Sequence, residues 1–143
     1  MKKLTIVLEH GDNKDIWGLV SAKDAFTIAE VQESIEALTV SFRDLVADYI
    51  AHEGQDNAEW RMVSADDIEF EYAYTVVGLF KMFDFLNVSA VAKASGINAS
   101  QLRQYAKGIK NPSVATAQRI EQGVHRLAQS MLQTQVSNIR VTA

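Results

Sequence analysis

VAKASGINASQLRQYAKGIKNPS, residues 91 to 113, holds two short apolar segments separated by one glycine and closed by another. Val91, Ala92 and Ala94 carry the first, which the spacing predicts as a short helix capped by Ser89 and ending at Ser95. Gly96 follows, the residue type best able to take the left-handed conformation that stops a helix. Ile97 then enters the core. Asn98 has the short side-chain oxygen that caps free helix N–H groups, and Ala99 to Lys107 form the next helix, with Leu102 and Tyr105 turned inward. Gly108 closes that helix. Ser113, after Pro112, caps a long final helix with Ile120, Val124, Leu127 and Met131 on one face. Upstream, TVVGLFKMFDFLN, residues 75 to 87, places Val76, Phe80 and Phe83 at helical intervals. Val77 and Leu79 widen that face and Phe85 and Leu86 finish it, so a further helix precedes the pair.

Helix, glycine turn, helix is the helix-turn-helix unit, whose second helix enters the major groove of DNA. The stretch resembles the Xre or Cro-type repressor domain over about residues 76 to 133. In that resemblance Ala92 is the small residue where the paired helices touch, Gly96 the turn, Ile97 and Leu102 the core anchors, and GIKNPS the exit. The geometry of the motif turns the N-terminal part of the recognition helix toward base edges. Ala99, Ser100, Gln101, Arg103 and Gln104 are therefore the candidate readers, Gln suiting adenine and Arg guanine. Ser89 and Asn98 at helix starts, and Lys93, Lys107 and Lys110 by charge, are the candidates for the DNA backbone. Tyr105 is read as core. One such unit reads only a few base pairs, so a homodimer on double-stranded operator DNA is expected. Its candidate interfaces are the last helix with SMLQTQVSNIRV, or the sheet and long helix of the first half.

Charge divides the chain at the same place. Up to Asn87 there are 7 Lys and Arg against 17 Asp and Glu, a balance of −10; from Val88 onward 7 basic residues face Glu121 alone, a balance of +6, and together they give the net −4. A basic half fits a polyanion, and an acidic half fits a basic partner.

The acidic half reads as strands around one helix. LTIVLEH, 4 to 10, and DIWGLVSA, 15 to 22, form a hairpin through GDNKD. Thr27 and Glu30 have capping-box spacing, followed by Val31, Ile35, Leu38, Phe42, Leu45, Tyr49 and Ile50 at helical intervals. AKDAF before them is either a third strand or a short connection. IEFEYAY, 68 to 74, alternates Ile68, Phe70, Tyr72 and Tyr74 against Glu69, Glu71 and Ala73, as a half-buried strand does. This order, with its T-x-x-E helix start, resembles the HicB family of antitoxins. The resemblance implies a reduced RNase H-like fold that binds a small basic toxin, an RNA-cleaving one of the HicA kind. SAKDAF lacks the Pro-Gly stretch of that family, so no toxin-contacting loop is carried over.

The fold class expected is α+β. A β-β-β-α-β partner-binding domain spans 1–74, an all-α helix-turn-helix domain 75–135 and a C-terminal tail 136–143. The function expected is that of an antitoxin-type repressor, with a stand-alone or phage-type regulator as the first alternative. The second is a metal-dependent nuclease, because Glu9, Asp12 and Asp15 flank the first hairpin and carboxylates hold catalytic metals. No catalytic residue, metal or cofactor is assigned: His10, His52 and His125 assemble with no nucleophile and orienting acid. Without cysteine there is neither disulfide nor thiolate chemistry. No apolar run reaches the roughly 18 residues that span a bilayer, and Glu9, His10 and Asp12 interrupt the basic, apolar start before it resembles a signal. A cytoplasmic protein without membrane contact is expected. Trp17 and Gly18 are read as packing residues, with a bulge or close approach at the glycine.

Overall fold

In the computed structural model, which describes residues 1–11 and 13–141, the chain divides into two units, Met1–Met82 and Phe83–Ala143. Asp12 and the last two residues of the tail lie outside the described residues. Four strands and five helices make an α+β chain whose second unit is helical.

Strict alternation builds the first unit. Strands β1 (Lys2–His10), β2 (Ile16–Ala22), β3 (Phe26–Gln32) and β4 (Ile68–Tyr74) form one sheet in the order β3-β2-β1-β4. β2 runs antiparallel to both β1 and β3, and β4 runs parallel to β1, with Ile6 opposite Val20 on one side and Tyr72 on the other. Leu4, Ile6, Leu8, Ile16, Val20 and Ile68 are buried on the inner face. Helix α1 (Ile35–Ala51) covers that face with Leu38, Phe42, Val46 and Ile50, each burial contributing about 1.5–3 kcal/mol. Gly18 is small because the Phe42 ring lies over it: a Cβ there would stand 2.8 Å from Phe42 Cε2. This is the close approach expected, and the ladder runs through Gly18 in regular register.

The expected helix start was misplaced. Thr27 and Glu30 lie in β3, opposite Ser21 and Gly18, and Ser34 caps α1 by accepting from the Ala37 amide at 3.0 Å. Val31 consequently points out on the strand rather than inward on a helix. The alternation of Phe26, Ile28, Glu30 and Gln32 outweighed a chance T-x-x-E spacing. AKDAF resolves as a turn, with Asp24 at φ 59° and the Ala25 amide donating to the Ala22 carbonyl at 3.1 Å. Between α1 and β4, Trp60 is buried and meets Phe26 and Tyr49 edge-on at 5.2 and 6.3 Å. Arg43 ties this connection down by donating to the carbonyls of Ala65 and Ile68 at 2.6 and 3.0 Å.

Among the described residues of the first unit, no helix covers the outer sheet face. Trp17, Leu19, Ala29, Val31 and Ala73 all stand exposed there, Trp17 at 54 %. Trp17 was read as a packing residue; the register puts it on the outer face, opposite Glu9 and Val31.

Helix α2 (Val76–Met82) packs with the first unit, and so falls on the sheet's side of the division although it was read with the helical half. Gly78 lies so close to β1 that a Cβ would meet the Leu8 carbonyl oxygen at 2.6 Å. The helix stops at Met82 rather than running to Asn87. A turn follows, the Leu86 amide donating to the Phe83 carbonyl at 2.9 Å, and leaves Phe85 exposed.

In the second unit, α3 (Val88–Ser95), α4 (Ala99–Ala106) and α5 (Val114–Leu132) enclose Val91, Ala92, Leu102, Tyr105 and Ile120. Asn87, not Ser89, caps α3, accepting from the Ala90 amide at 2.9 Å. The two residues have similar capping chemistry, but only Asn87 has the extended backbone, φ −86° and ψ 123°, that an N-cap requires. Gly96 takes φ 70°, and the Ile97 amide reaches back to the Ala92 carbonyl at 3.1 Å, which satisfies the end of α3. Gly123 lets α5 approach α3 closely, with Ser95 directly opposite. Ser113 caps α5 as expected, at 3.1 Å from the Thr116 amide.

Candidate nucleic-acid interface

The candidate interface begins at the glycine turn, because that turn aims α4. Arg119 on α5 donates to the Gly96 carbonyl at 2.7 Å and Arg126 donates to the Ala94 carbonyl at 2.8 Å. Two cations thus complement the negative C-terminal end of α3. They hold the turn while remaining exposed, so they also belong to the basic surface. Leu102 and Tyr105 anchor the inner side of α4, as their spacing predicts.

The cap of α4 is where Asn98 was expected. Its side-chain oxygen accepts from the amides of Ser100 and Gln101 at 2.8 and 3.3 Å, leaving its amide nitrogen as the donor for a phosphate. Ser100, Gln101 and Arg103 are exposed along the helix, while Ala99 and Gln104 are half-buried. Two of these side chains already have partners. Arg103 Nη2 donates to Ser89 Oγ at 3.2 Å, and Gln101 Nε2 donates to the Tyr105 hydroxyl at 2.8 Å. The first bond brings Ser89 beside the recognition helix even though it caps nothing. Lys93, Lys107 and Lys110 are exposed, on α3 and after α4, and Gly108 turns the chain at φ 76° between the last two.

Sequence reasoning missed Asn87 and the tethering role of the Tyr105 hydroxyl. Gln101 and Tyr105 stand four residues apart, the spacing at which side chains on one helix meet, and that signal was available. It also missed Ile109, exposed in the exit beside Lys110.

The residues considered for other chemistry are accounted for differently. Glu9 accepts from the Thr75 hydroxyl at 2.9 Å, and that hydroxyl in turn accepts from the Gly78 amide at 3.0 Å at the start of α2. Asp12 lies outside the described residues. Among the described residues no three His, Cys, Asp or Glu side chains gather as metal ligands would. His52 forms the C-cap of α1, its Nδ1 2.9 Å from the Asp48 carbonyl, and His125 is exposed on α5. Among the described residues no helix is long and apolar enough to cross a membrane.

A helix-turn-helix family model matches residues 79–124, from the middle of α2 through α3 and α4 to the first half of α5. No curated protein matches the chain, and no solved structure does. The family match identifies the helix-turn-helix in the second half and supports a DNA-binding transcriptional regulator.

Proposed function

We propose that this protein is an antitoxin-type transcriptional repressor of the cytoplasm, bound to operator DNA as a homodimer through its second unit. In this reading Ala99, Ser100, Gln101, Arg103 and Gln104 address base edges, while Ser89, Lys93, Asn98, Lys107 and Lys110 address the DNA backbone. The observation that carries it is α4 itself: a helix docked by Leu102 and Tyr105, capped by Asn98 behind a left-handed glycine, with Gln101 and Arg103 exposed on a basic unit.

Alanine at Gln101 or Arg103 is expected to weaken binding to a selected operator by about 1–3 kcal/mol and to relax preference at one base position. Alanine at Lys107 should instead weaken binding to every duplex alike and reduce the salt slope by about one. Titrations of each variant at several salt concentrations check both, and unchanged affinity in all three would remove α4 from the interface.

The first unit, in the same proposal, neutralises a small basic RNA-cleaving toxin of the HicA kind. Support comes from the HicB-like element order, the −10 charge balance up to Asn87, and the exposed apolar face around Trp17, Leu19 and Val31. Purification of the full chain from its native host tests this half. A stoichiometric small basic protein whose RNA cleavage stops on adding the chain supports the antitoxin reading. Recovery of the chain with DNA alone favours the stand-alone regulator.

The dimer is assigned to the end of α5. From Leu127 to Ile139 there is no charged residue, and Met131, Leu132, Val136 and Ile139 are all exposed. An uncharged apolar surface suits a second copy of itself, since identical charges would otherwise face each other across a two-fold axis.

A further inference from the structure

The geometry points to Tyr105 as a positioning residue for base recognition: its hydroxyl tethers the Gln101 carboxamide at the place from which it reads a base edge. The inference rests on the proposal that α4 reads DNA, and it concerns a residue whose spacing marks it only as core.

A glutamine carboxamide offers two N–H donors and an acceptor oxygen. Reading adenine in the major groove takes one donor to N7 and the oxygen to the N6 amino group. The bond from Gln101 Nε2 to the Tyr105 hydroxyl occupies one N–H and leaves a donor and the acceptor available, the set that adenine requires. A half-turn of the amide would set Oε1 against the hydroxyl, which donates as readily as it accepts, so the tether fixes where the carboxamide stands and the base decides which of its atoms it meets. Tyr105 suits this task because its ring is fixed: the residue is buried in the core of the second unit, one turn along the same helix. The backbone of Gln101 is fixed as well, its N–H donating to the Asn98 side-chain oxygen. A free glutamine side chain would have to be ordered when DNA arrives, at a cost in rotamer entropy. Here much of that ordering is present before binding.

The test compares wild type, Gln101→Ala, Tyr105→Phe and the double variant. Sites are selected from a randomised duplex library with the full-length wild-type protein, and affinities are then measured for the selected duplex and its single-base variants. Phenylalanine keeps the buried ring, and thermal melting checks that each variant is folded. The expected result is that Tyr105→Phe lowers discrimination by roughly three- to tenfold at the position that Gln101→Ala also relaxes. Affinity for scrambled duplex should stay unchanged, and Tyr105→Phe should add nothing in the Gln101→Ala background. Unaltered base preference in Tyr105→Phe overturns the inference while leaving Gln101 a reader. An equal loss with and without Gln101 overturns it too, because the hydroxyl would then act through the core. If Gln101→Ala itself changes no preference, Gln101 is not a reader and the inference falls with it.

Discussion

With aspartate at both Met131 and Leu132, the protein is expected to sediment as a monomer and to bind its operator roughly a hundredfold or more weakly. Both side chains are exposed in the single chain, at 64 and 80 %, so burying them requires another molecule. The long apolar face predicted for α5 therefore divides in two. Ile120 is buried and Val124 and Leu127 are half-buried, whereas Met131 lies past the end of the core. The two aspartates would place four negative charges at a two-fold contact, where like charges cost several kcal/mol. Each half-site would still meet an intact α4, so the loss comes from the missing second anchor. Sedimentation and titration with a half-site and a full site separate these effects. An unchanged mass would move the interface away from α5.

Replacing Gly123 with alanine is expected to destabilise the second unit by about 1–3 kcal/mol, despite the exchange being favourable in an isolated helix by roughly 0.5–1 kcal/mol. The new Cβ would stand 2.1 Å from Ser95 Oγ, 2.8 Å from the Ser95 amide nitrogen and 3.0 Å from its Cα. Backbone cannot swing aside as a side chain can, so α3 and α5 must separate. In a unit of this size each kcal/mol lowers Tm by about 4–8 °C. Ser95→Ala should restore part of the loss, because it removes the nearest atom but leaves the backbone contacts. Among the described residues Ser95 Oγ is buried without a hydrogen-bond partner, so its removal forfeits no bond seen there. Thermal melting of the single and double variants, followed by helical circular dichroism, checks the prediction. A rise in Tm with Gly123→Ala would refute the close approach of the two helices.

Much of this fold was legible because its signals were local. The alternation of Leu4, Ile6 and Leu8 specifies β1, and Gly96 and Asn98 specify a turn and a cap by their own chemistry. The positions proposed on α4 as readers were placed by the same kind of signal, relative to Leu102 and Tyr105. Errors arose where two local signals competed and tertiary structure chose between them. Thr27 and Glu30 fit a cap, but pairing with β2 claimed them; Asn87 and Ser89 could both cap α3, and backbone geometry took the first. Trp60 lies in a stretch without periodicity, so nothing in its surroundings announces that it completes the core with Phe26 and Tyr49. The Gln101–Tyr105 bond was hidden differently: an apolar reading of tyrosine accounts for the ring and overlooks the hydroxyl.

The only two tryptophans, Trp17 and Trp60, both belong to the first unit, one exposed on the outer sheet face and one 2 % exposed in the core. Nature has thereby supplied the molecule with its own optical labels. Intrinsic indole emission follows the first unit alone, and events confined to the second are silent in it. A protein ligand settling on the outer face would dehydrate Trp17 and shift its emission toward the blue while Trp60 stays constant. Emission from a Trp17→Phe variant would hold still under the same titration, so occupancy of that face can be followed without attaching any dye.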